Sequence, residues 1–321
     1  MSAIDALKQK TEAMGWKVAV VPFAVRAAAI AQVSARYERG ELDERLYKQY
    51  LEPILSTKAT EAPEPRSIIL IATPSLPVRM QFTLDGVSFP VMTAPGYLYS
   101  AEPKPMDVVG EVLLAFGYYA EKISGPQKAM ATLSGFARYG RNNISYVPGF
   151  GTFHALATLV SDLPCDDVPL HEQEMLARCE NCRACQAACP TGAIGEDRFV
   201  LHAERCITFW NEQEADVPFP DWIELDWHNA LFGCLRCKYA CPENAPYVDN
   251  VLEGPSFDEA ETRLLLDGGN VKDVPDELRA TLAQWRLDTL FEYLPRNLEA
   301  LVKKELRRRR QVASPANCDV G

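Results

Sequence analysis

Apolar and polar positions change period repeatedly along this chain. From Lys17 to Phe23 the run Lys-Val-Ala-Val-Val-Pro-Phe is rich in β-branched residues and predicts a strand. Ala27 to Leu55 shifts to helical spacing with good helix formers, and residues 57–66, with two prolines and several polar residues, read as a loop. Ser67 to Thr73 predicts a buried strand. Two alternating runs within Val78–Thr93 flank Asp85-Gly86, a strong hairpin signal. Helices are expected at Met106–Ile123 and at 127–139, the second ending near Gly140. Asn143–Val147 reads as a strand, Gly149–Gly151 as a turn, and Thr152–Val160 as either strand or helix. Residues 256–310 have helical periodicity broken by Gly268-Gly269, Pro275 and Pro295. The last eleven residues, 311–321, read as a disordered tail.

Composition narrows the class. The chain has 321 residues, 47% apolar and 24% charged, ordinary for a folded protein with a real core. Its net charge of −11 argues against a general nucleic-acid binder. No apolar run reaches about 18 residues, so no membrane-spanning helix is expected. The start, Met-Ser-Ala-Ile-Asp-Ala-Leu-Lys-Gln-Lys, lacks an apolar stretch behind a basic one, so no signal peptide is expected and the expected location is cytoplasmic. Neither a dinucleotide fingerprint nor a phosphate-binding P-loop is present.

Cysteine placement carries the chemistry. Of ten cysteines, eight crowd into 179–241. In a reducing compartment such crowding points to metal rather than disulfides. The first group is Cys179, Cys182, Cys185 and Cys189, followed by Pro190. The second is Cys206, then Cys234, Cys237 and Cys241, followed by Pro242. The first run matches the bacterial ferredoxin pattern, in which three cysteines serve one [4Fe–4S] cube and the fourth crosses to another. That crossing predicts Cys179, Cys182, Cys185 and Cys241 for cluster A. It leaves Cys189, Cys206, Cys234 and Cys237 for cluster B, with 207–233 looping out between its ligands. Two zinc sites are the alternative, since four thiolates also suit zinc. Cys165 and Cys318 belong to neither set.

The expected fold class is therefore α+β or α/β. A mixed α/β cofactor-type domain occupies 1–164, a ferredoxin-like double-cluster module 165–250, and a short helical segment 251–310. The module holds 16 Asp and Glu against 6 Lys and Arg, nearly the whole formal charge. That face is either merely solvated or a docking surface for a basic electron donor.

At this point the sequence resembles a known family, the epoxyqueuosine reductases, and more distantly the corrinoid-dependent reductive dehalogenases. The resemblance runs over roughly 130–245. It is carried by Ser134-Gly135-Phe136-Ala137-Arg138-Tyr139-Gly140-Arg141-Asn142, by Pro148-Gly149-Phe150-Gly151-Thr152-Phe153, by Ser161-Asp162-Leu163-Pro164, and by the segments around Cys189 and Cys206. It implies cobalamin as a further cofactor, with FMN or no further cofactor as alternatives. It implies that the loop 138–151 lines the cofactor pocket, with Arg138, Arg141, Asn142, Asn143, Gly149 and Gly151 as binding residues. The implied activity is reduction of a small or RNA-borne substrate, with electrons supplied by a ferredoxin or flavodoxin. The alternative is an electron-transfer or activator protein serving a corrinoid protein or other redox partner.

Two departures from the family stand out. Its proton-donating Asp lies in a segment that corresponds here to Ala120–Pro126, and anchoring on Pro126 puts Ile123 at the acid's place. Glu121 and Tyr139 are the candidate catalytic groups in its stead. The family's tRNA-binding C-terminal repeats are expected to be absent or reduced, leaving the basic run from Lys303 to Arg310. Nucleic acid and membrane are therefore not expected partners.

Overall fold

The computed structural model describes residues 1–58, 60, 64–98, 103–166, 169–171 and 175–313. The chain divides into two compact units. One comprises Met1–Leu76, Ser100–Arg205 and Cys237–Asp249, the other Pro77–Tyr99, Cys206–Arg236 and Asn250–Gly321. These units cut across the boundary expected at 164, because residues 77–98 join the C-terminal segment, and they divide the second cysteine group, with Cys206 and Cys234 in one unit and Cys237 and Cys241 in the other.

The first unit is built on a four-stranded sheet in the order Lys17–Pro22, Ser67–Pro74, His154–Ser161 and Glu121–Lys122, every neighbour antiparallel. Ser67–Pro74 is buried at every position but the last. Its apolar stretch, 68–72, is buried on both faces and needs cover on each. Ile69 and Ile71 pack with Leu7 and Leu113, from the helices Ala3–Ala13 and Pro105–Ala115. Ile68, Leu70 and Ala72 pack with Val25, Ala29 and Met130, from Ala24–Glu38 and Gln127–Leu133. The first helix opens with a reciprocal Ser2–Asp5 capping box, which satisfies two backbone donors.

The second unit joins the hairpin Val78–Leu84 and Val87–Thr93 to a parallel strand, Leu252–Phe257. Asp85 and Gly86 both have positive φ, as the expected tight turn demands. The alternating Val78, Met80, Phe82 and Leu84 face a core completed by the helices Glu259–Asp267, Asp276–Gln284 and Leu294–Ala313.

Several expected elements differ. The helix expected at Met106–Ile123 stops at Ala115, Gly117 takes a positive φ, and Glu121–Lys122 becomes an edge strand. The helix expected at 127–139 stops at Leu133, ahead of positive-φ Gly135, and Arg138–Tyr139 pairs instead with Ser145–Tyr146. Thr152–Val160 resolves as a strand, His154–Ser161. Of the expected tail, 311–313 continue the final helix and the remainder lies outside the described residues.

Candidate metal centre

The C-x2-C-x2-C run starts in a short 3-10 turn, Ala177–Glu180, and passes into the helix Ala184–Ala188. Cys241 stands at the start of a separate short turn, Pro242–Asn244. Within the first unit Cys179, Cys182, Cys185 and Cys241 line one small cavity together with Arg141 and Tyr146. The thiols are near enough for each other's charge to raise the pKa of Cys179 and Cys185. Burial is the larger cause, and it pushes Cys185 up to about 11. Proton loss from such thiols needs a compensating cation, which a bound cluster supplies. Four thiols spaced around a common cavity suit a cube, one thiolate per iron corner, better than one tetrahedral zinc.

Neighbouring groups hold this arrangement. The Arg141 guanidinium donates through Nε to the Cys182 carbonyl at 3.2 Å and through Nη2 to the Cys179 carbonyl. It thereby staples the cysteine loop. The Tyr146 hydroxyl donates to Cys241 Sγ at 3.1 Å, and Asn142 Nδ2 donates to the same phenol at 3.1 Å. Burial and the Cys241 bond raise the Tyr146 pKa far above the ordinary phenol value. Asn244, fully buried, accepts from the Thr152 amide at 3.0 Å and donates to Thr152 Oγ1 and the Lys238 carbonyl, each at 2.8 Å. Lys238 donates to the Thr152 carbonyl at 3.1 Å, and burial lowers its pKa to about 8.

The cysteines of the second expected set fall in both units. Cys189 lies 3.4 Å from Thr191 Oγ1, and Cys237 adjoins Lys238, both in the first unit. In the second unit, Asn229 Nδ2 donates to Cys234 Sγ at 3.2 Å and its Oδ1 accepts from the Leu235 amide at 2.8 Å. There Tyr97 donates to Glu212, and burial, Glu212, Cys206 and Cys234 all raise its pKa. All nine described cysteines are free of disulfides; Cys318 lies outside the described residues.

Residues 178–244 match the 4Fe-4S double cluster binding domain, and all eight cysteines of the two expected sets lie inside that span. Two [4Fe–4S] clusters are the cofactors of this domain. Nearly the whole chain, 98%, overlays an epoxyqueuosine reductase from Streptococcus thermophilus, covering 84% of it with a TM-score of 0.64 at 16% identity. The chain has the epoxyqueuosine reductase fold. An epoxyqueuosine reductase solved with a tRNA-Tyr stem loop is similar over 93% of this chain and 79% of its own, with a TM-score of 0.60 at 18% identity. The epoxyqueuosine reductase of Bacillus subtilis is 31% identical over 118 residues, 36% of this chain but only 28% of that protein. The alignment thus spans under a third of that curated relative.

The residues expected to hold a corrin divide. Arg141 and Asn142 are engaged with the cysteine loop and with Tyr146. Arg138, Gly149 and Gly151 line a cavity of about 320 Å³ that also touches Glu243 and Tyr247. Asn143, at positive φ, and Tyr139, whose buried ring meets Phe199 edge-on at 5.4 Å, line a separate cavity of about 530 Å³. Ile123 is buried and lines that same cavity. Glu121 accepts from Thr60 and is not among the residues lining these cavities.

Tyr146, Asn244, Asn229 and Lys238 were not singled out by the sequence pattern. Asn244 alone left a signal, its place three residues after Cys241 in the turn that Pro242 opens.

Among the described residues, no helix is long and apolar enough to cross a membrane. Much of the basic run is paired within the second unit: Lys303 with Glu299, Arg307 with Asp226, and Arg308 and Arg309 with Glu305.

Proposed function

We propose that this chain is an iron–sulfur oxidoreductase of the cytoplasm. Electrons from a low-potential donor such as a ferredoxin or flavodoxin pass through two [4Fe–4S] clusters to a cobalamin-type cofactor, which serves to reduce a small or RNA-borne substrate. The convergence of Cys179, Cys182 and Cys185 with the distant Cys241 carries this reading. It matches the ligand crossing that the double-cluster spacing requires. Cluster A takes those four thiolates, and cluster B takes Cys189, Cys206, Cys234 and Cys237.

The chain's own groups have definable parts. Arg141 fixes the loop bearing Cys179 and Cys182. Tyr146 directs its hydroxyl proton to Cys241 Sγ and favours extra negative charge there, as hydrogen bonds to cluster sulfur do. Asn142 holds the phenol in place. Bound cobalamin would supply the two-electron reduction chemistry, while the protein supplies position and dryness. Arg138, Gly149 and Gly151 remain the candidate contacts to such a group; Arg141 and Asn142 serve the cysteine loop.

One observation favours a second reading, an electron-transfer or activator protein without turnover of its own. Buried Ile123 stands where the family places its acid, and Glu121 is bonded to Thr60. The neighbour solved with a tRNA stem loop makes an RNA-borne substrate worth testing directly, despite the acidity of this chain.

Anaerobic reconstitution with iron and sulfide counting tests the relay. About eight irons per chain are expected for two cubes. Zinc in their place, or iron for one cube only, would overturn the reading. A spectral change on adding cobalamin supports the terminal cofactor, and turnover of an epoxyqueuosine-bearing stem loop separates reductase from activator.

A further inference from the structure

A cavity of about 530 Å³ lies wholly within the first unit. That volume falls within the range of small-molecule sites, roughly 300–1,000 Å³. Its apolar wall is formed by Val33, Leu42, Leu46, Leu51, Ile54 and Phe199. Arg36, Lys122 and Lys128 line it too, and the described lining residues include no Asp or Glu. Arg36 is engaged: it pairs with Glu41 at 2.5 Å and stands 4.5 Å over the Phe199 ring. Lys122 and Lys128 are solvent-exposed and bracket the wall segment from Ile123 to Gln127.

A further cation stands behind that segment. Arg26 is 9% exposed. Its Nε donates to the Ser124 carbonyl at 3.0 Å and its Nη2 to the Thr57 carbonyl at 2.6 Å. Both acceptors are uncharged, and burial lowers the guanidinium's pKa. A buried cation whose hydrogen-bond partners carry no charge projects its field into the nearest low-dielectric space. In a chain of net charge −11, this is a positive cavity set against the prevailing field.

We infer that this cavity binds a small organic anion. A carboxylate or phosphate group sits toward Lys122 and Lys128, and an apolar body lies against Leu42, Leu46, Leu51 and Phe199. The binding itself is independent of the electron relay. Only the consequence, that the bound anion is what the protein reduces, rests on the reductase reading.

The test uses the intact, cluster-loaded chain with its iron counted. The apolar anionic dye 8-anilinonaphthalene-1-sulfonate is bound first, then displaced by octanoate, by octyl phosphate and by 1-octanol. One dye site per chain is expected, with at least one of the two anions displacing it about tenfold more tightly than the alcohol. The tighter anion assigns the head group. A Lys122→Gln/Lys128→Gln double variant is expected to weaken that anion about tenfold while leaving iron content and thermal unfolding unchanged. If 1-octanol competes as well as the anions, if the double variant binds them unchanged, or if none displaces the dye, the inference falls. A chain that fails to load iron yet still prefers the anion would overturn the relay and leave the anion site standing.

Discussion

The phenol of Tyr146 acts directly on a cluster ligand through its bond to Cys241 Sγ. An O–H···S bond stabilises the more negative, reduced state of a cube and so raises its potential. Tyr146→Phe removes that donor and little volume. Cluster A is expected to keep its four irons while its midpoint falls, as read by an EPR-monitored redox titration. An unchanged midpoint at full iron would show the bond to be electrostatically idle. Gly151 makes a different demand. Its φ is +55°, and an added Cβ would meet the Asn244 side-chain oxygen that accepts from the Thr152 amide. Gly151→Ala should cost about 1–3 kcal/mol, measured by urea denaturation of the loaded chain. The eight cysteines were readable in the sequence as candidate cluster ligands, because their spacing is local and stereotyped. The engagement of Arg141 with cysteine carbonyls was not, because its partners lie about forty positions away.

Elements were legible wherever pattern and turn chemistry agreed. Ser67–Pro74 holds an unbroken apolar run from Ile68 to Ala72, and the Asp85-Gly86 hairpin carries its own backbone requirement. Helix ends were harder. Gly117 and Gly135 end helices through positive φ, yet the apolar spacing continues past them and invites a longer helix. The strand Leu252–Phe257 was missed because Leu-Glu-Gly-Pro-Ser-Phe does not alternate. It is recruited by parallel pairing with Val78–Leu84, across an irregularity between Arg79 and Gln81. Leu70 is buried in the central strand against Val25 and Met130. Leu70→Ala should cost about 2–5 kcal/mol, seen as a lower urea midpoint with an unchanged slope. A loss below about 1 kcal/mol would mean that Leu70 is not packed tightly between the helices and the sheet.

Among the described residues one histidine in each compact unit, half-buried His154 and buried His228, has a lowered pKa, which gives both units the same response to acid. His154, in the first unit, meets the Gly151 carbonyl at 3.0 Å and Ser145 Oγ at 3.2 Å; burial lowers its pKa from 6.5 to about 4. His228, in the second, packs edge-on to Phe219 at 4.6 Å. Burial, with Lys304 and Arg296 nearby, lowers it likewise to about 4. Both are neutral when folded and titrate near 6.5 when unfolded. Between about pH 6.5 and 4 the unfolded chain therefore binds more protons, so the stability present above pH 6.5 is lost as the solution is acidified through that window. Each site stands to lose about 3 kcal/mol across it. Acid also attacks iron–sulfur clusters, so the useful quantity is the difference between a variant and its parent at equal iron content. His228→Phe keeps an aromatic ring beside Phe219 and cannot titrate. Its unfolding free energy should fall less steeply than the parent's between pH 7 and 5, by urea denaturation at each pH. Parallel pH profiles would show that His228 is not buried neutral, and that acid acts on the clusters or on His154 instead.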